Sequence, residues 1–485
     1  MRTPTHLCLL IMLTFAMIGV PVPAQSAENP NIVIILVDDM GYGDPRCYNP
    51  ESKIEMPNFD RIAREGMRFT DAHAAGALCH PSRYGLLTGR YPFRAPVEKW
   101  RTQPVIAEGE ETIASLLRKQ GYQTAMVGKW HLGFAENGYD QRLPGGPIDR
   151  GFDSFFGIRA STDIPPYFYI RGDRAVMPPT DRISANNTEG WSPIQGAFWR
   201  EGGIAPDLKL EEVLPRFASE AVEVIRNRNQ EKPLMLYLAL PAPHTPWLPS
   251  PEFAGKSKAG LYGDFAMMVD AEIGKVLGAL QDAGMADDTL LIVTSDNGPV
   301  WYDADVARLG HDSSGGLRGM KADAWECGHR MPFLVRWPEK VKAGAVTDRT
   351  ICFTDLMATF AAITGAKLED AAGPDSFDFS NVLLGSQPKD DTRPPLVIPA
   401  GQGIFSIRSG DWKFINGLGS GGFSEPRRID PQPGGATGQL YNLKQDLAES
   451  QNLFISHPDI VSRLEAELQA IRNQDRTRPV TDLSQ

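Results

Sequence analysis

N-I-V-I-I-L-V-D-D, residues 31–39, is the stretch that decides the fold. An unbroken apolar, β-branched run of this length is what a strand buried on both faces requires, as in a parallel sheet. The run then stops on paired aspartates, Asp38 and Asp39. Three further segments repeat the arrangement. A strand expected at 124–127 leads into Gly128-Lys129-Trp130-His131, one at 234–240 into Pro243-His244-Thr245-Pro246, and one at 289–294 into Asp296-Asn297-Gly298. Open parallel sheets bind ligands outside the carboxyl ends of their strands. Four strand ends therefore bring carboxylates, a lysine and two histidines to one edge.

Between these strands the periodicity is helical. Helices are expected at 58–65 and 111–120, each stopped by a glycine (Gly66, Gly121). Others are expected at 210–228, interrupted near Pro215, and at about 264–283, ending at Gly284. Alternating strands and helices predict an α/β fold, a large mainly parallel sheet sandwiched by helices. Residues 165–206, rich in Pro, Gly, Asn and aromatics, read as a long loop. Residues 374–399, dominated by Gly, Pro, Asp and Ser, read as a linker. Beyond it, strand-like 403–408 and 412–415 and an amphipathic helix at 458–472 predict a small antiparallel sheet plus helix.

The chain's first residues carry Arg2, an apolar stretch at 9–20 and small residues around Ala24 and Ala27, the three regions of a signal peptide. The apolar core is shorter than the about 20 residues of a membrane span. The expected organisation is a signal peptide at 1–27, a catalytic domain at 28–373, the linker at 374–399 and a C-terminal subdomain at 400–485. Export to the periplasm or medium follows, with no stable membrane span. A net charge of -11 argues against nucleic-acid binding. Small anionic substrates remain compatible with it, since a local cluster of cations overrides the global sign. Beyond Cys8 in the leader there are Cys47, Cys79, Cys327 and Cys352, a poor disulfide framework in which one bridge of unknown partners is possible.

The most specific string is L-C-H-P-S-R-Y-G-L-L-T-G-R at 78–90, which contains C-x-P-x-R at Cys79, Pro81 and Arg83. Pro81 suits the first turn of a helix, which sets Cys79 at a helix N-terminus, where free N–H groups favour an anion. Arg83 lies one turn further along the same face. The string resembles the signature of the type I sulfatases, which belong to the alkaline phosphatase superfamily. The resemblance extends through G-K-W-H-L-G (128–133), P-H-T-P (243–246) and G-M-K-A-D-A-W-E-C-G-H-R (319–330), with Cys327 standing where relatives usually carry glycine.

That resemblance implies an arylsulfatase-like enzyme with an alkaline-phosphatase-like core, which hydrolyses a sulfate monoester. Cys79 would be oxidised by a formylglycine-generating enzyme to an aldehyde, whose hydrate attacks sulfur and later releases sulfate. Arg83 would hold the hydrate, Lys129 the hydrate and sulfate, and Lys321 the sulfate and leaving oxygen. His131 would act as base and His244 as general acid. Read on their own, Asp38, Asp39, Asp296 and Asn297 offer oxygen ligands that suit Ca²⁺ or Mg²⁺ rather than zinc; the family implies one Ca²⁺, with residue 79 joining its shell. Ser161 would lie near the sulfate. Trp247 and His311, with Trp191, Trp199, Arg200, Trp301 and Tyr302, are loop residues expected near the mouth, where they suit a sulfated saccharide. A phosphonate or phosphate ester hydrolase using the same site is the nearest alternative. A silent sulfated-glycan binder is the alternative from a different class.

Overall fold

The computed structural model describes residues 29–386 and 393–480, so the expected signal peptide lies outside the described residues. An eleven-stranded sheet forms the centre. Its parallel heart runs Thr289–Ser295, Asn31–Asp38, Leu234–Pro243, Gln123–Lys129, Ser154–Ile158. Ile32 to Val37 are wholly buried, as the apolar run demands. Helices Pro57–Glu65, Val213–Arg226 and Gly260–Asp282 pack together against the sheet. Helices Cys79–Thr88, Ile113–Lys119 and Leu356–Thr364 form a second group. The α/β sandwich predicted from the alternation is the fold observed.

Several strands were not visible in the sequence, among them Ser154–Ile158 in the parallel heart, Gln439–Asn442 in the small sheet, and Ile170–Arg171, Arg174–Ala175, Asp181–Ile183 and Gly202–Ile204 within the stretch read as a long loop. Two more lengthen the large sheet. Met67–His73 and Arg330–Arg336 extend the sheet beyond Thr289–Ser295, with Arg330–Arg336 antiparallel to both neighbours. Pro215 does not interrupt a helix: it sits in the first turn of Val213–Arg226, where its missing N–H loses no intrahelical bond. A short 3₁₀ turn, Leu210–Glu212, precedes that helix.

The described ends of the expected linker are packed, and 387–392 lie outside the described residues. Pro374 to Ser376 are buried, and Asp375 is bound by Arg94 at 2.9 Å through each oxygen. Leu396–Pro399 is the first strand of a four-stranded antiparallel sheet, continued by Phe405–Ser409, Trp412–Ile415 and Gln439–Asn442. Pro374 and Asp375 mark tight packing here. Helix Pro458–Asn473 lays Val461, Leu464, Leu468 and Ile471 on this sheet, and the shared core includes Ala75, Tyr91 and Cys352 from the larger unit. All four described cysteines are free, Cys327 buried in the short helix Glu326–His329.

A buried polar network couples the two sheets. His73 Nδ1 meets His329 Nδ1 at 2.9 Å, and His73 Nε2 meets Asp71 at 2.8 Å. Lys413, from the small sheet, reaches Glu326 at 2.9 Å and Glu449 at 2.8 Å. Asp71, Glu326 and Glu449 face Arg330, Arg408 and Lys413, so each charge has an opposite partner.

Candidate active site

The four strand ends do converge. Asp38 closes its strand and Asp39 turns out of it in the left-handed region at φ 62°. Lys129 ends the neighbouring strand but one, and His131 follows, again left-handed at φ 59°. Gly128 makes that approach possible: its φ is 114°, and a Cβ there would stand 1.9 Å from the Ala239 carbonyl oxygen. Asp296 follows the strand Thr289–Ser295, and its N–H bonds the Val37 carbonyl at 3.0 Å. Cys79 is the first residue of helix Cys79–Thr88, which ends at Gly89 with φ 62°. Lys321 is delivered by a turn in which Ala322 has φ 71°. Three non-glycine residues held left-handed around one site are a local strain of the kind found at ligand clamps.

These residues form one ionic lattice. Asp38 is bound by Lys129 Nζ, with Arg83 Nη2 at 3.4 Å and Cys79 Sγ at 3.4 Å. Asp39 accepts from Lys321 Nζ and from Asn297 Nδ2, both at 2.7 Å, and lies 3.6 Å from His244 Nε2. Asp296 takes two bonds from Arg83, at 3.0 and 2.8 Å. Lys321 Nζ also stands 3.3 Å from Cys79 Sγ. Burial works against charge at Asp38, yet Lys129, His244, Arg83 and Lys321 outweigh it and hold its carboxyl far below the usual range. Asp296 goes the other way, up to about 6, through burial and the Asp38 charge. Burial, with Asp296 and Asp38 beside it, pushes the Cys79 thiol far up.

A cavity of about 230 Å³ opens onto Cys79, Asp39, His131, Ser161, His244 and Lys321. His131 is buried with both ring nitrogens lacking a partner among the described residues, and its ring meets Trp100 edge-on at 4.2 Å. Burial and Lys129 hold its pKa well below the usual 6.5, so it is a neutral base at neutral pH. His244 Nδ1 donates to the Thr245 carbonyl at 2.6 Å, which leaves Nε2 on the Asp39 side. Burial, Lys129, Lys321 and Arg101 bring His80 down to about 3.

Arg83 differs from expectation. It is wholly buried and does not line the cavity; its donors go to Asp296, Asp38 and the Lys129 carbonyl, the last at 3.0 Å. With residue 79 as the thiol, it holds the carboxylates, and Cys79 is close enough to act on its charge. Trp247 and His311 are corrected as substrate contacts. Trp247 is buried against Trp191 at 4.8 Å and Tyr262 at 5.1 Å. His311 is buried with Nε2 2.8 Å from Asp44. Neither lines the cavity. Trp301 belongs to the same cluster, Trp199 binds the Ser184 carbonyl at 2.9 Å, and Tyr302 caps helix Asp303–Leu309. Only Arg200 of the loop group reaches the cavity wall. The reading of the sequence missed His80, Trp100, Arg101, Asp163 and Phe423, which line it too. Asp163 stands two residues past Ser161 and His80 directly after Cys79, spacings that offered a signal; the others carry none.

The donor set fits a hard cation. Asp38, Asp39, Asp296 and Asn297 supply oxygen only, and the buried Oδ1 of Asn297 has no partner among the described residues. A buried acceptor left so costs about 1–3 kcal/mol unless a cation or donor meets it.

Comparison with known proteins agrees with this geometry. The family described as Sulfatase matches residues 30–366. The chain is similar to the N-acetylgalactosamine-6-O-sulfatase of Bacteroides thetaiotaomicron, 33% identical over 93% of this chain and 94% of that one. Human arylsulfatase A is 33% identical over 88% of this chain and 84% of its own length. A solved structure from work on glycosaminoglycan metabolism by Bacteroides thetaiotaomicron superposes with a TM-score of 0.81, at 32% identity, covering 92% of this chain and 100% of that one.

Proposed function

Because this chain belongs to the sulfatase family and is a sulfuric ester hydrolase, we propose that it cleaves the sulfate monoester of a saccharide with residue 79 as formylglycine. The observation that carries the reading is Cys79 at a buried helix N-terminus, facing Lys321, His131 and His244 across one cavity. Converted to formylglycine, residue 79 supplies as its hydrate an oxygen nucleophile and a second hydroxyl through which sulfate is released. Asp38, Asp39, Asp296 and Asn297 would hold Ca²⁺, which would supply positive charge toward an anionic ester. Three carboxylates balance Arg83, Lys129 and Lys321 in this lattice, so a divalent cation leaves it positive toward an anionic ester.

The chain's own groups do the rest. Lys321 reaches the cavity and binds the sulfate and leaving oxygens; Lys129 fixes Asp38 beneath it. His244 gives the Nε2 proton to the leaving alcohol, its ring set by the Thr245 carbonyl. His131, neutral and without a partner among the described residues, takes the proton when sulfate departs. Ser161 Oγ, also unpartnered, donates to a sulfate oxygen. The same reading makes residues 1–27 a signal peptide, the protein periplasmic or secreted, and a formylglycine-generating enzyme its maturation partner. The small subdomain begins at Leu396 and the catalytic unit precedes it.

The test is the mass of the tryptic peptide 69–83 from native-host protein, expected roughly 18 Da below the unmodified thiol. Turnover of 6-O-sulfo-N-acetylgalactosamine, 4-nitrophenyl sulfate and 4-nitrophenyl phosphate goes with it, before and after chelation and Ca²⁺ return. An unmodified thiol in active protein refutes the aldehyde, and dominant phosphatase turnover refutes the choice of ester.

A further inference from the structure

The cavity holds a carboxylate that the sulfate chemistry does not use. Asp163 is 4% exposed and lines the cavity with Ser161 and His244. Its Oδ2 is bound by Arg200 Nη1, and Arg200 also donates to the Asp163 carbonyl, at 3.2 Å through both its main-chain N–H and Nη1. Its other oxygen, Oδ1, is buried and finds no donor among the described residues. His244 Nδ1 is 4.0 Å from it, beyond hydrogen-bond reach and already committed to Thr245.

A carboxylate oxygen accepts and never donates. Sulfate oxygens are acceptors as well and carry like charge, so Asp163 Oδ1 cannot be satisfied by the sulfate. In the bound ester, the hydroxyls of the alcohol half are the donors that can meet it. Arg200 fixes the carboxylate from behind and leaves Oδ1 as a single directed acceptor beside the general acid. We propose that Asp163 determines specificity by accepting a hydrogen bond from a sugar hydroxyl close to the sulfated carbon, which makes polyhydroxylated sulfate esters the substrate class and leaves simple aryl sulfates without that contact. This rests on the sulfatase reading of the same cavity. A site built to hydrogen-bond a hydroxyl rejects the analogue lacking it, because its own buried group is left unpaired.

The experiment compares full-length wild type and Asp163→Asn on 6-O-sulfo-N-acetylgalactosamine, its 3-deoxy and 4-deoxy analogues, and 4-nitrophenyl sulfate. In wild type one deoxy analogue loses about 10- to 100-fold in kcat/KM, the range for a hydrogen bond to a charged group. In Asp163→Asn that penalty shrinks to within about threefold, and the parent sugar falls far more than the aryl ester. Equal losses on sugar and aryl substrates would mean that Asp163 acts only through His244 or the loop, and overturn the proposal. So would wild type indifferent to both hydroxyls, a test that needs no variant to fold. Wild type inert on every sulfate ester, 4-nitrophenyl sulfate included, refutes the sulfatase reading itself; aryl turnover without a hydroxyl penalty refutes only the role of Asp163.

Discussion

Replacing Arg83 with methionine separates holding the site together from doing its chemistry. The side chain is wholly buried, donates twice to Asp296 and once to the Lys129 carbonyl, and stands 3.4 Å from Asp38. Methionine keeps most of the apolar stem and removes every donor. Asp296, already pushed up to about 6 by burial and Asp38, is then left without its cation. Breaking one partner of a buried ion pair costs about 3–5 kcal/mol, because the remaining charge is uncompensated. About 2–4 °C per kcal/mol holds for domains of 150–250 residues, and a larger chain moves less, so the melting point should fall on the order of 5 °C. Scanning calorimetry on chelated protein gives the number. The decisive comparison is Arg83→Met with Asp296→Asn added, which removes the stranded charge and should recover part of the loss. A single variant as stable as wild type, or a double variant no better than the single, refutes the clamp and returns Arg83 to the reacting group.

Two further perturbations test how the strand ends are held. Gly128→Ala puts a Cβ 1.9 Å from the Ala239 carbonyl at φ 114°, a backbone clash with no flexible neighbour to yield. The melting point should drop by several degrees and turnover collapse together; an unchanged calorimetric trace would show that the two strands can separate freely there. Glu449→Gln tests the network between the sheets. Burial raises the Glu449 carboxyl to about 7 against the pull of Lys413, above the about 4.3 of an unfolded chain. The folded protein therefore binds the extra proton, and stability from this group is present below about 4.3 and is lost as pH rises through 7. Glutamine removes that dependence, so relative to wild type the variant should gain between pH 5 and pH 8 in melting point. A constant offset across that range contradicts the assignment.

The parts of the fold that the sequence showed are those whose burial is two-sided. Ile32 to Val37 and Leu234 to Leu240 sit between helices on both faces, so hydrophobicity alone marks them. Met67–His73 sits in the same sheet but places Asp71 and His73 in a buried network with Arg330 and Arg408, and charged pairing replaces the apolar pattern. Its partner Arg330–Arg336 contains a proline and an arginine at each end. The candidate site was legible where short motifs fix both residue and strand end, as at Lys129, His131 and Asp296. It was not legible where only tertiary packing decides direction. Trp247 is in the same turn as His244, yet its ring points into the Trp191, Tyr262 and Trp301 cluster. The i, i+4 spacing correctly put Arg83 on the Cys79 face, while the carboxylate that claims it is 213 residues away.

Unmet hydrogen-bonding demand divides this cavity by chemistry. A buried polar atom without a partner costs about 1–3 kcal/mol, and native interiors hold few of them. Among the described residues, Ser161 Oγ, both nitrogens of His131 and Asp163 Oδ1 stand so on one cavity, and Asn297 Oδ1 stands so on the residue that bonds Asp39 in its wall. They are not interchangeable. Asn297 Oδ1 lies among carboxylates and asks for a cation. Ser161 has a proton to give and Lys321 stands near, which suits an anion's oxygens. His131 is neutral and asks for a proton. Asp163 accepts only and lies beside His244, the acid we propose for the leaving alcohol. A structural cluster would pair these groups with one another, as His73, His329 and Lys413 do between the sheets. Here they remain without such partners among the described residues, and each fits a different part of the metal-bound sulfated sugar that we propose as substrate.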